Sequence, residues 1–376
     1  MNGQGLIKEI LAKPFEDEPR LIFADWLEEC GESERAAFIR IQCEYARTGY
    51  WEPGFEKLRK QSIGFLTKHE KVWKKQLGIR SRAYFRRGFI EDLTVTPKAM
   101  LELDPKVFSH APIMSIQLSR FDSSKLQQVG KTGILKSVLG VNVNGGRSME
   151  EVFALFGMVS SKVEKLDLSA SNLHFDSKFG EAIGRASFAK KLKGFYLRAC
   201  VVDETFFEAL ADAGGLPKIQ RFEFGGGFEI AHPAHFENLK MKKLRHLVAG
   251  GKFRIVDCQQ LCHLPLKKLL TINLRGTRLP AAGLKLLIEA GAFKNAERIS
   301  LANCNLSRNA LKMFIDNKAI KCTHLELPEN KNLDNELLGQ ILNGKGFAKL
   351  QAIHVAGTHV KVTKKIREAT SVTIVS

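Results

Sequence analysis

One group of residues in this chain has the side chains that bind zinc. Its members are Cys258, Cys262, His263 and, upstream, His232 and His235. The C-x3-C spacing fits no common pair of zinc ligands, and no second cysteine pair follows it. We therefore expect buried thiols and surface histidines here, with no bound metal.

A second segment suggests nucleotide chemistry. Residues 339–345 match G-x-x-x-x-G-K, but the Ser or Thr that should follow is Gly346. The segment also lies in and just after a predicted helix, whereas a phosphate loop joins a strand to a helix. The chain has no H-E-x-x-H, no G-x-S-x-G and no recurring carboxylate pair. The sequence thus predicts a non-enzymatic protein with no catalytic residue and no cofactor.

Basic residues are concentrated in one segment of this chain, whose net charge is +18. Residues 57–87 carry 11 Lys and Arg against Glu70 alone, and Phe55–Leu77 has apolar residues at helical spacing. One interpretation is a docked amphipathic helix whose lysines only face water. The other is binding to a polyanion: nucleic acid, an anionic membrane surface or an acidic protein. The candidate contacts are Lys68, Lys71, Lys74, Lys75, Arg80, Arg82, Arg86 and Arg87.

A repeated apolar pattern positions most of the remaining residues. VEKLDLSASNL, from Val163 to Leu173, has the spacing of a leucine-rich repeat, with Leu166 and Leu168 on one face of a short strand. The pattern recurs every 23–29 residues, except for a last interval of 19. The starts are Ile90, Ile113, Val138, Val163, Leu192, Ile219, Leu244, Leu269, Ala296, Cys322, Leu350 and Ala369. The ladder predicts core positions at Leu166, Leu168, Leu197, Leu274, Leu301, Leu325 and Leu327.

Helical spacing follows each predicted strand. Glu204–Ala213, Leu284–Phe293 and Ala310–Ile320 are examples. Repeats of this length with a full helix resemble the ribonuclease-inhibitor-like class of leucine-rich repeats. That resemblance implies an α/β solenoid of about 12 repeats, a horseshoe with parallel strands on the concave side and helices on the convex side.

Side chains that alternate with the core ladder should face outward from the concave side. They form a polar, mildly basic surface with one aromatic residue, and solenoid surfaces of this kind commonly bind partners. The alternative is a solvated face with no partner. The candidate partner-binding residues are Lys165, Asp167, Tyr196, Arg198, Arg221, Glu223, His246, Asn273, Arg275, Arg298, His324, Glu326 and His354.

The N-terminal segment is predicted to form three short helices within residues 5–47. PRLIFADWLEECGESERAAFIRIQCEYAR, from Pro19 to Arg47, resembles the bacterial repeat-companion domain in its ADWLEE, glycine and FIRIQ elements. The ESERAA stretch after Gly31 is longer than the turn usual in that family. The resemblance implies a small all-helical companion to C-terminal leucine-rich repeats and no biochemical activity.

These patterns predict three parts: a helical repeat-companion domain at 1–52, a basic amphipathic helical connector at 53–87, and leucine-rich repeats at 88–376. No run of 18 apolar residues and no signal peptide is recognisable, so a cytoplasmic location is expected. The seven scattered cysteines favour free thiols over disulfides.

Three functions remain open at this point. The first is a protein-protein interaction scaffold that uses the concave face. The second is binding of nucleic acid or another polyanion through residues 57–87. The third, a GTPase regulator, follows only from analogy with other ribonuclease-inhibitor-like proteins.

Overall fold

The computed structural model describes residues 2–52, 54–120, 123–144, 148–169, 173–225, 229–230 and 236–376. The chain divides into two compact units. Unit 1 comprises residues 1–146 and 158–163, and unit 2 comprises residues 147–157 and 164–376. None of the helices in the described ranges combines the length and the apolar run that a bilayer-spanning segment requires.

Unit 1 begins with four α-helices. They are α1 Gly3–Ala12, α2 Glu18–Glu29, α3 Ser33–Arg47 and α4 Phe55–Gln76. Pro19 lies in the first turn of α2, where its missing N–H leaves no bond unmade. The first three helices enclose an apolar cluster that includes Leu6, Phe23 and Ile39. Helix α3 begins at Ser33, and Glu32 occupies the non-helical position before it.

A β-hairpin follows α4. Strand β1, Arg82–Arg86, pairs antiparallel with β2, Phe89–Val95. The predicted helical connector at 53–87 is therefore wrong over its last residues, which are strand. The turn between the strands consists of Arg87 and Gly88, both with positive φ. Tight two-residue hairpins need positive φ at both central positions, and Arg87 hides this signal because arginine is not a usual turn residue there.

The hairpin turn is held by the same residues that carry the repeat-companion resemblance. Gly88 N donates to Gln42 Oε1 at 2.8 Å, and a Cβ at Gly88 would lie 2.7 Å from the Ile39 backbone. Arg20 Nη2 lies 2.8 Å from Glu91 Oε1, and Arg20 is fully buried. The N-terminal motif thus contacts the hairpin at two positions. One is Gly88, where a side chain would clash with Ile39, and the other is the buried carboxylate of Glu91.

The rest of unit 1 begins the repeating pattern. Its further elements are α5 Pro97–Leu101, β3 Ser115–Ser119, α6 Ser123–Thr132 and β4 Gly140–Asn144. Strands β2, β3 and β4 pair in parallel, with Asp92 opposite Ser115 and Ser115 opposite Gly140. These are equivalent positions of the predicted repeats, so the predicted register is confirmed in this unit.

Unit 2 continues with one long strand ladder and intervening helices. Its helices are α7 Met149–Met158, whose last residue belongs to unit 1, α8 Ser177–Arg185, α9 Glu204–Asp212, α10 Ile255–Leu261, α11 Ala281–Glu289, α12 Arg308–Ile315, α13 Asn335–Asn343 and α14 Lys364–Glu368. Its strands are β5 Lys165–Asp167, β6 His174–Phe175, β7 Gly194–Arg198, β8 Val201–Val202, β9 Arg221–Gly225, β10 Glu229–Ile230, β11 His246–Ala249, β12 Thr271–Asn273, β13 Arg298–Ser300, β14 His324–Glu326, β15 Ala352–His354 and β16 Thr373–Val375.

The ladder of unit 2 runs in the order β5, β7, β9, β11 through β16, all parallel. The predicted core leucines are confirmed, since all of them are at most 1% exposed. The last predicted repeat start is wrong by two residues. Thr373 pairs with Ala352, which places the start at Ser371 instead of Ala369. A polar residue at the first core position concealed this repeat from an apolar pattern.

A cysteine or asparagine after the strand of a repeat donates a hydrogen bond to a backbone carbonyl of the preceding repeat. Cys200 Sγ donates to Leu168 O at 3.2 Å, and Cys304 Sγ donates to Leu274 O at 3.0 Å. Asn330 Nδ2 donates to Leu301 O at 2.7 Å. Burial raises the pKa of the Cys304 thiol to about 11, so it keeps the proton that it donates. These residues, eight positions after each repeat start, therefore have a structural role.

A second, three-stranded parallel sheet was not expected from the sequence. Strand β8 lies between β6 and β10, and each of the three has only two residues. Two-residue strands carry too little alternation to be recognised in a sequence.

Candidate functional site

The strand face is the row of side chains on β5, β7, β9 and β11–β16 that alternate with the buried ladder. Backbone pairing sets Lys165 opposite Gly194, Gly194 opposite Arg221 and Arg221 opposite His246. A second row runs through Asp167 and Tyr196 to Glu223. Candidates from neighbouring repeats are thereby brought side by side, since paired strands lie about 4.8 Å apart.

Tyr196 occupies a gap in the first row. A Cβ at Gly194 would lie 2.9 Å from Tyr196 Cε2, so the ring fills the space that a side chain at position 194 would need. Lys165 Nζ lies 5.0 Å from the centroid of the ring. Burial raises the pKa of Tyr196, so its hydroxyl is neutral and available as a hydrogen-bond donor.

A buried carboxylate beside Tyr196 orients two arginines. Glu223 is 5% exposed, and its Oε2 lies 3.6 Å from Arg198 Nε. Arg221 Nε donates to Glu223 Oε1. Both ion pairs run through Nε, which leaves the Nη edges of the two guanidiniums outside these contacts. We call Lys165, Tyr196, Arg198, Arg221 and Glu223 the Tyr196 cluster.

Several predicted residues of the strand face are buried by their neighbours. Asp167, Glu223 and His324 are 4%, 5% and 8% exposed. Asp167 Oδ1 accepts from Ser169 N at 3.0 Å, and Asn273 Oδ1 accepts from Arg275 N at 2.9 Å. Short side chains at these positions bind the following turn, a role that the outward alternation alone did not predict.

The remaining members of the strand face lie toward the C-terminal end. His246 Nδ1 and Thr271 Oγ1 are 2.8 Å apart. Burial, with lesser effects from Arg221 and Arg298, lowers the pKa of His246, so this side chain is neutral near pH 7. Glu326 and His354 are half-buried and directly opposed across β14 and β15. Arg275 and Arg298 are exposed.

The basic segment is docked through its apolar side, as one of the two interpretations predicts. Trp73 is 7% exposed, and its ring centroid lies 4.7 Å from that of Phe38 on α3. The Arg35 guanidinium lies 4.3 Å from the Trp73 ring. Trp73 is therefore not available to stack on a nucleic-acid base, whereas Tyr84 remains 37% exposed.

The eight candidate cations of the basic segment differ in their contacts. Four lie in ion pairs with acidic side chains: Lys68 with Glu34, Lys74 with Glu70, Arg86 with Asp92, and Arg87 with Glu91. Arg82 lies over the Tyr84 ring at 5.1 Å. Lys71, Lys74, Lys75 and Arg80 line one cleft of about 620 Å³. Its lining also includes Glu102, which sequence patterns did not indicate.

One residue in each of the two groups that suggested zinc and nucleotide chemistry has a structural role. Burial raises the pKa of Cys258 to about 12, and Cys258 lies against α11 where a Cβ at Gly283 would touch its sulfur. His232 and His235 lie outside the described residues. Across the described part of the chain, no three His, Cys, Asp or Glu side chains are grouped as metal ligands. None of the seven cysteines, all of which lie in the described ranges, forms a disulfide, and Gly344 caps the C-terminus of α13.

Comparison with known proteins adds information on the fold. No protein-family model matches the chain, and no curated protein is similar to it in sequence. Among solved structures, a chain of the "Crystal structure of Rad7 and Elc1 complex in yeast" is similar over 94% of this chain and 94% of that chain. The TM-score is 0.51 and the sequence identity is 13%. At this identity the similarity shows a shared mixed α/β fold and nothing about function.

Proposed function

We propose that this protein is a non-enzymatic scaffold that binds a protein partner on its strand face. The observation that carries the proposal is the Tyr196 cluster. Tyrosine and arginine are the residue types that most often dominate binding energy at protein interfaces. Here a buried carboxylate holds two arginines in place, so less side-chain entropy is lost when they bind.

Two further features support this proposal. We infer that the parallel ladder is a leucine-rich-repeat solenoid and that residues 1–52 are a repeat-companion domain. Neither type of domain implies catalytic residues, and solenoids commonly bind partners. The similar yeast structure is, by its title, a complex of two proteins. Partner binding by this chain is a proposal by analogy with that complex.

A pair of matched variants tests the strand face. The first combines Tyr196→Ala with Arg275→Glu, which changes the strand face but leaves the Arg198–Glu223–Arg221 contacts intact. The control combines Tyr50→Ala with Arg185→Glu, which makes the same two changes at exposed positions elsewhere. Proteins captured by the wild type should be identified by mass spectrometry, purified and measured individually for affinity. We expect at least one captured protein to bind the first variant about tenfold or more weakly than the wild type, which is the effect of removing a hot-spot residue. The same protein should bind the control with unchanged affinity.

If the wild type, the strand-face variant and the control all bind the captured protein with equal affinity, the strand face is rejected as the binding surface. Capture should also be repeated after nuclease treatment and at raised salt. A partner that is lost under both conditions would point to a polyanion instead of a protein contact.

Polyanion binding through residues 57–87 is the second candidate function, and the unpaired cations of the basic segment favour it. The ion pairs of Lys68, Lys74, Arg86 and Arg87 leave four of the eight candidates for phosphate contacts. For single-stranded nucleic acid, log K should then fall against log salt with a slope of about −2.8, against about −5.6 if all eight take part.

A labelled random oligonucleotide measures this slope. Replacing Lys71, Lys75 and Arg80 by Gln should weaken its binding strongly while the thermal melt stays nearly unchanged, because these three side chains are exposed and have no ion-pair partner within the described residues. Absence of oligonucleotide binding to the wild type at low salt would reject this function, and a slope near −5.6 would mean that the ion pairs open.

A further inference from the structure

A cleft in unit 1 brings together charged side chains from three parts of the chain. Lys71, Lys74 and Lys75 come from the last turns of α4, Arg80 from the loop before β1, and Glu102 from the end of α5. The lysines are spaced three and four residues apart, so they share one face of the helix. The cleft has a volume of about 620 Å³, within the range of small-molecule sites.

The charge in this cleft is not neutralised by the protein. Lys71, Lys75 and Arg80 have no ion-pair partner within the described residues. Lys74 Nζ lies 3.5 Å from Glu70 Oε1 in an i,i+4 pair, and its side chain is only 17% exposed. Glu102 is the single acidic residue of the lining. Three cations without an ion pair in the described part of the chain therefore line the cleft together with one carboxylate, and this excess of positive charge favours a bound anion.

Helix stabilisation explains only part of this arrangement. Lysines in a last helical turn are stabilising, because they interact with the exposed carbonyls and the negative end of the helix dipole. Lys74 and Lys75 occupy that turn of α4. Lys71 lies before it and Arg80 after the helix has ended, so their convergence on the same cleft needs another reason.

The floor of the cleft is apolar. Ile79 is 3% exposed and Leu103 is 8% exposed, and both line the cleft with Ala99. A ligand in this place would meet both cations and aliphatic carbon. That combination is complementary to a phosphate or diphosphate attached to an apolar group.

We propose that this cleft binds a small organic phosphate. Lysine and arginine donate charge-assisted hydrogen bonds to phosphate oxygens, and Ile79 and Leu103 pack against the organic part. A nucleic-acid strand fits less well. Sites for single strands extend along a groove with aromatic side chains for stacking, whereas these cations converge on one cleft and Trp73 is buried.

The probe for the cleft is 1-naphthyl phosphate, with 1-naphthol and inorganic pyrophosphate as partial ligands. Its affinity is measured by isothermal titration calorimetry with the full chain. We expect saturable binding at one site per chain and weaker binding of both partial ligands. Lys71→Gln with Arg80→Gln should weaken the binding of the probe by about tenfold or more. The matched control is Lys60→Gln with Arg59→Gln. It also removes one lysine and one arginine charge, but from the first half of α4, and it should leave the affinity unchanged.

Thermal melts separate loss of binding from loss of folding, because exposed charges contribute little to stability. The proposal is overturned if the probe does not bind at about 1 mM, where even weak specific sites are occupied. It is also overturned if the cleft variant and the control bind equally. Tight binding of a random oligonucleotide that is weakened equally in the cleft variant and in the control would indicate that these cations bind nucleic acid instead.

Discussion

Replacing Glu91 by glutamine should lower the free energy of unfolding by about 3–5 kcal/mol, because it removes one partner of a buried ion pair. Glu91 Oε1 lies 2.8 Å from Arg20 Nη2 and 3.0 Å from Arg87 Nη2, and Arg20 is 0% exposed. Burial raises the pKa of Glu91 and lowers that of Arg20, so each charge depends on the other. Without the carboxylate, Arg20 would remain buried and charged.

The neighbouring residue provides the control for this experiment. Asp92→Asn removes an ion pair with Arg86 whose side chains are 26% and 64% exposed, and it should cost at most about 1 kcal/mol. Urea denaturation measures all the variants. In the double variant Arg20→Met with Glu91→Gln, the loss should be smaller than the sum of the two single losses, since the buried charge is gone. A loss for Glu91→Gln no larger than that for Asp92→Asn would show that the hairpin is not held by this pair.

Replacing Leu301 by alanine should cost about 2–5 kcal/mol, because it leaves a cavity in the ladder of unit 2. Leu301 is 0% exposed and follows β13, and its backbone N–H donates to Glu326 O at 2.9 Å. The flanking ladder positions, Leu274 and Leu327, are also fully buried. After the substitution, Leu274 and Leu327 could fill the cavity only if their strands moved. The parallel pairing of the strands opposes such a movement.

Leu270→Ala is the matched control for this substitution. Leu270 is 38% exposed, so its truncation should change stability by about 0.5 kcal/mol or less. Thermal and chemical melts of the two alanine variants would test the register directly. Equal stability of both would mean that Leu301 does not lie in the core and that the strand assignment at β13 is wrong.

The repeat ladder could be predicted because its causes are local. Leu166, Leu301 and Leu325 recur at fixed offsets, and a strand with a period of two must turn them all to the same side. The offset also aligned the strand-face candidates, so Arg221, His246 and Arg298 occupy equivalent positions in the ladder. Helix ends were less accurate. Residues 316–320, expected in α12, are outside it because the helix ends at Ile315.

The role of each charged side chain could not be read from the pattern. Arg87 was a candidate for polyanion binding, but its partners Pro14, Phe15 and Glu91 lie four to 73 residues away along the chain. Glu223 counted as an outward carboxylate, but two arginines cover it. Contacts between distant residues depend on how elements pack, and no local period records them.

The sequence by itself determined the repeat length, the strand register and the leucines of the core, because each follows from a spacing that one short segment displays. Only the tertiary structure decided which cations are available to a ligand. It buried Arg20 against Glu91, placed the half-buried Arg87 beside the same carboxylate, and oriented Arg198 and Arg221 on Glu223. It also gathered Lys71, Lys74, Lys75 and Arg80 around one cleft. The physical reason is that the electrostatic role of a charge depends on its burial and on its neighbours in space, which folding sets.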